Sequence, residues 1–361
     1  MAEALKDMFN KKFYSELAAT FNKADKNFHP EKFIKDVSVN LEDLSLNQRM
    51  RNTSVVLKKH LSSDYSKALA VLLEVASEFK GGYRALLFPD FVGQYGHGHV
   101  SLSLDALKIL TLYGSSEFAI REYLKRDLKG TLKVMTKWAE DKDYHVRRLS
   151  SEGSRPRLPW SFNIPEIMNN PQLTRPILET LKADKELYVK KSVANHLNDF
   201  SGTQTEWMLD LVRSWDKTNE DTAWIVKHAS RTLIKKGHLG SLSVLDFERN
   251  AKVQLKNFKL ESSKLKLGEE LNFSFIIISE KKSKQKLVID YAVHYAKKSG
   301  EQSRKVFKLK ELQLNPLQNI SISKRQLIRD FSTRKHYAGK HAVEILVNGK
   351  SYGLKEFFLA V

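Results

Sequence analysis

The sequence predicts a mainly α protein, an α-solenoid of HEAT-like helical repeats followed by an all-β, immunoglobulin-like sandwich. Three observations predict it. Apolar residues recur at helical spacing from Ala4 to about Phe247. Within that stretch a Val-basic motif returns at intervals of about 40 residues. After about Asn250 the pattern changes to short apolar strands separated by turn residues. The boundary is therefore placed between a repeat part, 1–249, and a sandwich part, 250–361.

In the repeat part Leu41, Leu44, Leu46 and Met50 precede VVLKKHL, and Leu69–Leu73 runs on into Val75-Ala76. Leu104, Leu107, Ile109 and Leu110 continue the pattern. Gly81-Gly82, Gly114-Ser115-Ser116, Ser201-Gly202, Gly237 and Gly240 punctuate it. Val146-Arg147-Arg148, Val189-Lys190-Lys191 and Val226-Lys227-His228 are 43 and 37 residues apart. Each follows acidic residues and is expected to begin a helix. Val100–Leu104 falls 46 residues before the first of them. Stacked two-helix units of this length bury a continuous core and leave one concave face. Equivalent positions then line one edge. Arg147, Arg148, Lys190, Lys191, Lys227 and Arg231 are expected to form a basic strip at helix N-terminal ends, suited to a phosphate backbone. The plainer alternative is surface solubility.

In the sandwich part, strands are expected at Leu271–Ile278, Leu287–Tyr295, Val306–Leu309, Ile320–Ile322, His341–Val347 and Glu356–Val361. Turns are expected at Lys281–Lys284, Lys297–Gly300, Asn348-Gly349-Lys350 and Tyr352-Gly353. Asn-Gly between two apolar runs is a strong hairpin signal. Tyr337 precedes the penultimate strand, where it suits a tyrosine corner.

Composition narrows the function classes. The chain of 361 residues has no cysteine, which excludes disulfides, thiolate metal sites and a cysteine nucleophile. No signal-like segment or long apolar run occurs, so a soluble, cytoplasmic protein without membrane attachment is expected. The net charge is +19, which favours a polyanionic partner. Residues 1–249 hold 38 basic and 32 acidic side chains, against 23 and 10 in residues 250–361, so the shorter part carries most of the excess.

The least ordinary run is HVRRLSSEGSRPRLPW, His145–Trp160. A helix bearing Arg147, Arg148 and Glu152 is expected to end at Gly153-Ser154. Arg155-Pro156-Arg157-Leu158-Pro159-Trp160 is expected to be extended, because proline restricts itself and its predecessor. Four arginines around one glutamate are hard to explain by packing and suggest a phosphate-gripping site. For Trp160 a core plug is the common alternative.

SSEGSRPRLPW preceded by HVRR resembles the signature of the AlkC-type DNA alkylation-repair glycosylases, relatives of the AlkD type. The resemblance extends over the helical part, and the basic sandwich is similar to the immunoglobulin-like domain of one AlkC branch. It implies a solenoid whose concave face holds duplex DNA. It implies excision of cationic methylated bases, 3-methyladenine and 3-methylcytosine, without full base flipping. By match to the family's motif, Glu152 and Trp160 fall at active-site positions. Asp199, in NHLNDF, resembles the catalytic aspartate, and Glu117, in GSSEF, a further acidic residue of the site.

The chemistry supports this independently. An N3-alkylated adenine is already cationic and leaves as a neutral base, so no general acid is needed. The barrier is the oxocarbenium-like sugar. Carboxylates beside the deoxyribose stabilise that cation, and one can orient or deprotonate the attacking water. Asp199 is assigned the water and cation role, Glu152 and Glu117 add charge, and Trp160 packs on the sugar. Arg155 and Arg157, with Arg334 and Lys335 on a sandwich loop, are expected to contact DNA. A monomer without cofactor or metal is expected. Two histidines at His97 and His99 lack a carboxylate cluster and are set aside as ligands. The competing class is a non-enzymatic helical-repeat scaffold that binds nucleic acid. Acidic residues inside the basic strip discriminate, because they oppose binding and serve only chemistry.

Overall fold

The computed structural model describes residues 5–248, 250–331 and 335–361. It divides into two compact units, residues 1–204 with 216–225, and residues 205–215 with 226–361. None of the described helices is long and apolar enough to cross a membrane.

The first unit is built from successive helices: α1 (Lys11–Ala24), α2 (Pro30–Val37), α3 (Leu46–His60), α4 (Tyr65–Ala76), α5 (Leu87–Tyr95), α6 (Val100–Leu110), α7 (Ala119–Arg126), α8 (Leu128–Trp138), α9 (Tyr144–Gly153), α10 (Pro165–Asn169), α11 (Arg175–Leu181) and α12 (Leu187–Asp199). Side-chain caps set several starts. Asn10, Asp64, Asp127 and Asp143 each accept from a backbone N–H of the first turn, and Ser45 with Gln48 closes a capping box at α3. The apolar stripe of α1, Phe13, Tyr14, Leu17, Ala18 and Phe21, is buried and shows the spacing that makes one helix face. Small residues bring α9 close to its neighbour. A Cβ on Gly153 would lie 2.5 Å from Cγ2 of Ile120, so only glycine lets the end of α9 sit on α7.

Helix α13 (Thr205–Ser214) belongs to the second unit, as do α15 (Arg231–Lys235) and α16 (Leu239–Val244); the division between units falls inside α14 (Glu220–Ala229). The strands are β1 (Val253–Leu260), β2 (Lys264–Lys266), β3 (Glu270–Ser279), β4 (Gln285–Ala296), β5 (Gln302–Leu314), β6 (Asn319–Leu327), β7 (Gly339–Val347) and β8 (Lys350–Ala360). They form a three-stranded sheet, β1-β3-β6, and a five-stranded sheet, β2-β8-β7-β4-β5. Between the sheets lies a core of Phe273, Phe275, Ile277, Ile289, Tyr291, Val343 and Phe357. β4 is buried on both faces. Its Leu287, Ile289 and Tyr291 enter that core, whereas Val288 joins Ile234, Leu242 and Phe247 of the helical segment.

Three sequence expectations are corrected here. Tyr352-Gly353 is not a turn; it lies inside β8, where Gly353 pairs with Ile345 beside a bulge. Tyr337 is exposed, and the buried aromatic groups at that corner are His336 and His341, both packed edge-on to Tyr295. β1 and β2 were not among the expected strands. The Asn-Gly hairpin is present: Asn348 and Gly349, at φ 49° and 78°, join β7 to β8 as a type I′ turn requires.

Candidate active site

Helix α9 is capped by Asp143, whose carboxylate accepts the backbone N–H of His145 at 2.8 Å. Val146 and Leu149 anchor one face in the core, which turns Arg148 and Glu152 toward the α12 side. After Ser154 the chain makes tight turns. Arg155 N donates to Glu152 O at 3.3 Å, Ser161 N to Leu158 O at 3.2 Å and Ile164 N to Pro156 O at 3.0 Å. The expectation of an extended segment is therefore overturned; the φ that proline fixes suits the corner of a turn as well as a strand. Trp160 sits at φ 67°, in the left-handed region, and is 74% exposed rather than a core plug. Its ring meets that of Tyr83 edge-on at 6.4 Å.

Three carboxylates and two guanidiniums alternate at this end of α9. Arg155 makes a two-pronged pair with Asp199, Nε to Oδ2 at 2.8 Å and Nη2 to Oδ1 at 3.0 Å. Its Nη1 donates to Glu152 Oε1 at 2.7 Å. Arg148 Nη2 reaches the same Glu152 oxygen at 3.7 Å, while Nη1 donates to Glu117 and, at 2.7 Å, to Ser115 Oγ. The order is Glu117, Arg148, Glu152, Arg155, Asp199. Arg148 also lies over the Tyr188 ring, 4.7 Å from its centroid. The structure thus brings together Glu117, Glu152 and Asp199, from α9, α12 and the segment before α7. Arg148 and Arg155 are enclosed in the same network, with side chains only 12% and 9% exposed.

Burial pushes the Asp199 carboxyl up, and the Arg155 guanidinium opposes that shift. Burial alone would lower Arg155, but hydrogen bonding to Asp199 and the charge of Glu152 outweigh it, so Arg155 stays protonated. Under α12, His196 is fully buried and its Nδ1 lies 3.0 Å from Ser151 O, a contact the neutral ring makes as donor. Burial first, then the charge of Arg155, pushes His196 down to about 3. A neutral His196 adds no further cation to the group.

The other expected residues are scattered. Arg147 is held by Asp184, Nε to Oδ2 at 2.6 Å, and by the carbonyls of Asp141 and Lys142, both at 3.0 Å. Lys190 pairs with Asp221 and lies 5.8 Å from the Trp224 ring centre. Lys227 pairs with Glu311, and Arg231 donates to His228 O at 2.7 Å. Arg157, Lys191 and Lys335 are exposed, and Arg334 lies outside the described residues. The expected register is corrected at its third member. Val146 and Val189 are third residues of α9 and α12, but α14 starts at Glu220, so Lys227 falls in its last turn. Acidic Glu220 and Asp221 complement the positive helix start and set the earlier boundary.

Sequence reasoning passed over Arg121, Ser115, Tyr188 and His196. Arg121 had a local signal, an arginine inside the apolar face Ala119-Ile120-x-x-Tyr123-Leu124. A cleft of about 360 Å³, lined by Tyr83, Asp90, Phe118, Glu122, Trp160 and Phe162, includes Trp160 but none of the three carboxylates. Among the described residues, no group of three His, Asp or Glu side chains is disposed to hold a metal ion. His99 stacks on Tyr65 at 5.0 Å, and His97 packs on Tyr123 at 5.2 Å.

Residues 254–361 match a family described as "Uncharacterised protein YhaZ, C-terminal Ig-like domain". Over 349 residues the chain is 39% identical to the uncharacterized protein YhaZ of Bacillus subtilis (strain 168), covering 96% of each. Among solved structures, the alkylpurine DNA glycosylase AlkC of Pseudomonas fluorescens, bound to DNA containing an abasic site analog, superposes with a TM-score of 0.96 at 42% identity. That match covers 99% of this chain and 100% of the other.

Proposed function

Because the chain belongs to the AlkC family, we propose that it is a DNA glycosylase of base excision repair that hydrolyses the N-glycosidic bond of cationic alkylated bases in duplex DNA. 3-Methyladenine and 3-methylcytosine are the proposed substrates, excised without full rotation into a pocket. Residues 1–249 form the catalytic part, and the basic sandwich, 250–361, adds grip on the duplex. The protein acts as a monomer in the cytoplasm, with its DNA. The observation that carries this reading is the convergence of Glu117, Glu152 and Asp199 around two guanidiniums, in a chain alike to AlkC over its whole length.

The geometry suits the chemistry. The departing base is already positive, so its loss needs no proton. What must be stabilised is positive charge developing on the sugar. Carboxylates fixed in a poorly hydrated place do so without reorganising. Arg155 uses one lone pair of each Asp199 oxygen, and a carboxylate offers about four acceptor sites. Asp199 therefore keeps acceptor capacity for a water, and the paired Arg155 favours its ionised form against the effect of burial. Trp160, exposed on the turn that also carries Arg155, offers a ring face to the sugar or cationic base, an attraction of about 0.5–2 kcal/mol. A tenfold gain in rate takes about 1.36 kcal/mol, so a few such terms add up to a useful catalyst.

The test is direct. Purified protein is incubated with methylated duplex DNA, and released bases are separated and identified. Release of 3-methyladenine by the wild-type protein is expected. Asp199→Asn and Glu152→Gln are expected to bind the same DNA yet release at least about tenfold less. Wild-type rates in both variants would refute the assigned roles.

A further inference from the structure

Arg121 is fully buried on α7, and no carboxylate lies within ion-pair distance of it among the described residues. Its hydrogen bonds go to main-chain carbonyls of one segment. Nη1 donates to Gly153 O at 2.9 Å and Arg155 O at 2.6 Å, and Nη2 donates to Phe162 O. The guanidinium also lies 5.2 Å from the Phe162 ring centre. One rigid fork thus clasps both ends of the turn 153–162. That turn carries Arg155, which holds Glu152 and Asp199, and Trp160, held at a positive φ.

A buried cation with only carbonyl partners is costly, and a hydrophobic side chain would fill the same volume at less expense. Burial, and then the charge of Arg155, pushes Arg121 down to about 10, so it is still charged at neutral pH. Asp199, Glu117 and Glu152 are the charges that favour its protonated form. A planar guanidinium holds its donors in a rigid fork spread over two terminal nitrogens, whereas an ammonium gathers its three donors on one atom. We propose that Arg121 is the positioning residue of this site, fixing the 153–162 turn and through it the places of Trp160 and Arg155.

The inference rests on the glycosylase reading for its kinetic arm and is independent of it in its other arms. In the wild-type protein, amide hydrogen exchange across 154–162 is expected to be as slow as in the middle of α9; exchange as fast as in exposed loops overturns the proposal. The emission of Trp160, isolated by difference against Trp160→Phe, is expected to shift in Arg121→Lys; an unchanged spectrum in the folded variant overturns it. For excision, Arg121→Lys is expected to lower the single-turnover rate by about 100-fold, the cost of misplacing a group by about 1 Å, with DNA affinity within about twofold. Placed in a Trp160→Ala background, Arg121→Lys is expected to cost clearly less, because part of what it positions is gone. An equal factor in both backgrounds points to a general effect on folding and overturns the assignment. If the wild-type protein excises nothing, the function reading fails, while exchange and emission still decide the role of Arg121.

Discussion

Replacing His196 by asparagine removes the acid sensitivity that this one side chain builds into the fold. An unfolded histidine titrates near 6.5, whereas folded His196 is pushed down to about 3. Below pH 6.5 the unfolded chain therefore binds a proton that the folded chain refuses. The unfolded state binds more protons, so stability rises with pH through this window and falls as the solution is acidified. Near pH 5 the unfolded ring is about 97% protonated, and the resulting loss is about 2 kcal/mol relative to pH 7.5. Asparagine keeps an N–H donor near Ser151 O, which the neutral ring contacts at 3.0 Å, and does not titrate. The assay compares urea denaturation of wild type and His196→Asn at both pH values. All other groups titrate alike in the two proteins, so the difference between the two acid losses isolates His196. An acid loss about 2 kcal/mol smaller in the variant is expected. The same loss in both proteins would mean that His196 is protonated in the folded state, and the account of a neutral ring beneath the site would be wrong.

Other expectations follow from the same contacts. Arg155→Met should destabilise the protein by about 3–5 kcal/mol in denaturant, because it strands two mostly buried carboxylates; a loss under about 1 kcal/mol would show that water solvates them. Arg157→Gln, Lys191→Gln and Lys335→Gln, all at exposed positions, should each reduce the log–log salt slope of DNA binding by about 0.9 if each neutralises one phosphate; unchanged slopes would place the duplex elsewhere.

Much of this molecule was legible in its sequence, and the exceptions have physical reasons. The 3.6-residue period and the glycine and serine punctuation made the helices readable, and Asn348-Gly349 with its flanking apolar runs made the last hairpin readable. β1 escaped because it presents lysines and asparagine, with Val253 as its one buried residue, and β2 because three residues carry too little pattern. At the site, Glu117, Glu152 and Asp199 were named from motif resemblance, and the structure brings them together. Their guanidinium partners could not be read in that role. Arg148 and Arg155 look like phosphate ligands in a list of residues, and only three-dimensional placement shows each between two carboxylates. Arg121 was missed for the opposite reason. A single arginine in an apolar helix face reads as a side chain turned to solvent until its three carbonyl partners, distant in sequence, are seen.

The alternating row of Glu117, Arg148, Glu152, Arg155 and Asp199 carries one surplus negative charge, and Arg121, hidden from solvent, cancels it. Seen from beyond a screening length of about 8–10 Å, the group is neutral. It therefore costs a protein of net charge +19 nothing in its long-range pull on a polyanion. Within a few ångströms the balance changes, because the positive member closest to cancelling the surplus is the one fully withdrawn from the surface. An approaching phosphate backbone is not turned away in the far field, while a cation arriving at contact distance meets a negative near field. On the glycosylase reading proposed above, attraction to the duplex and preference for a cationic base are thus separated by distance rather than by the use of different residues.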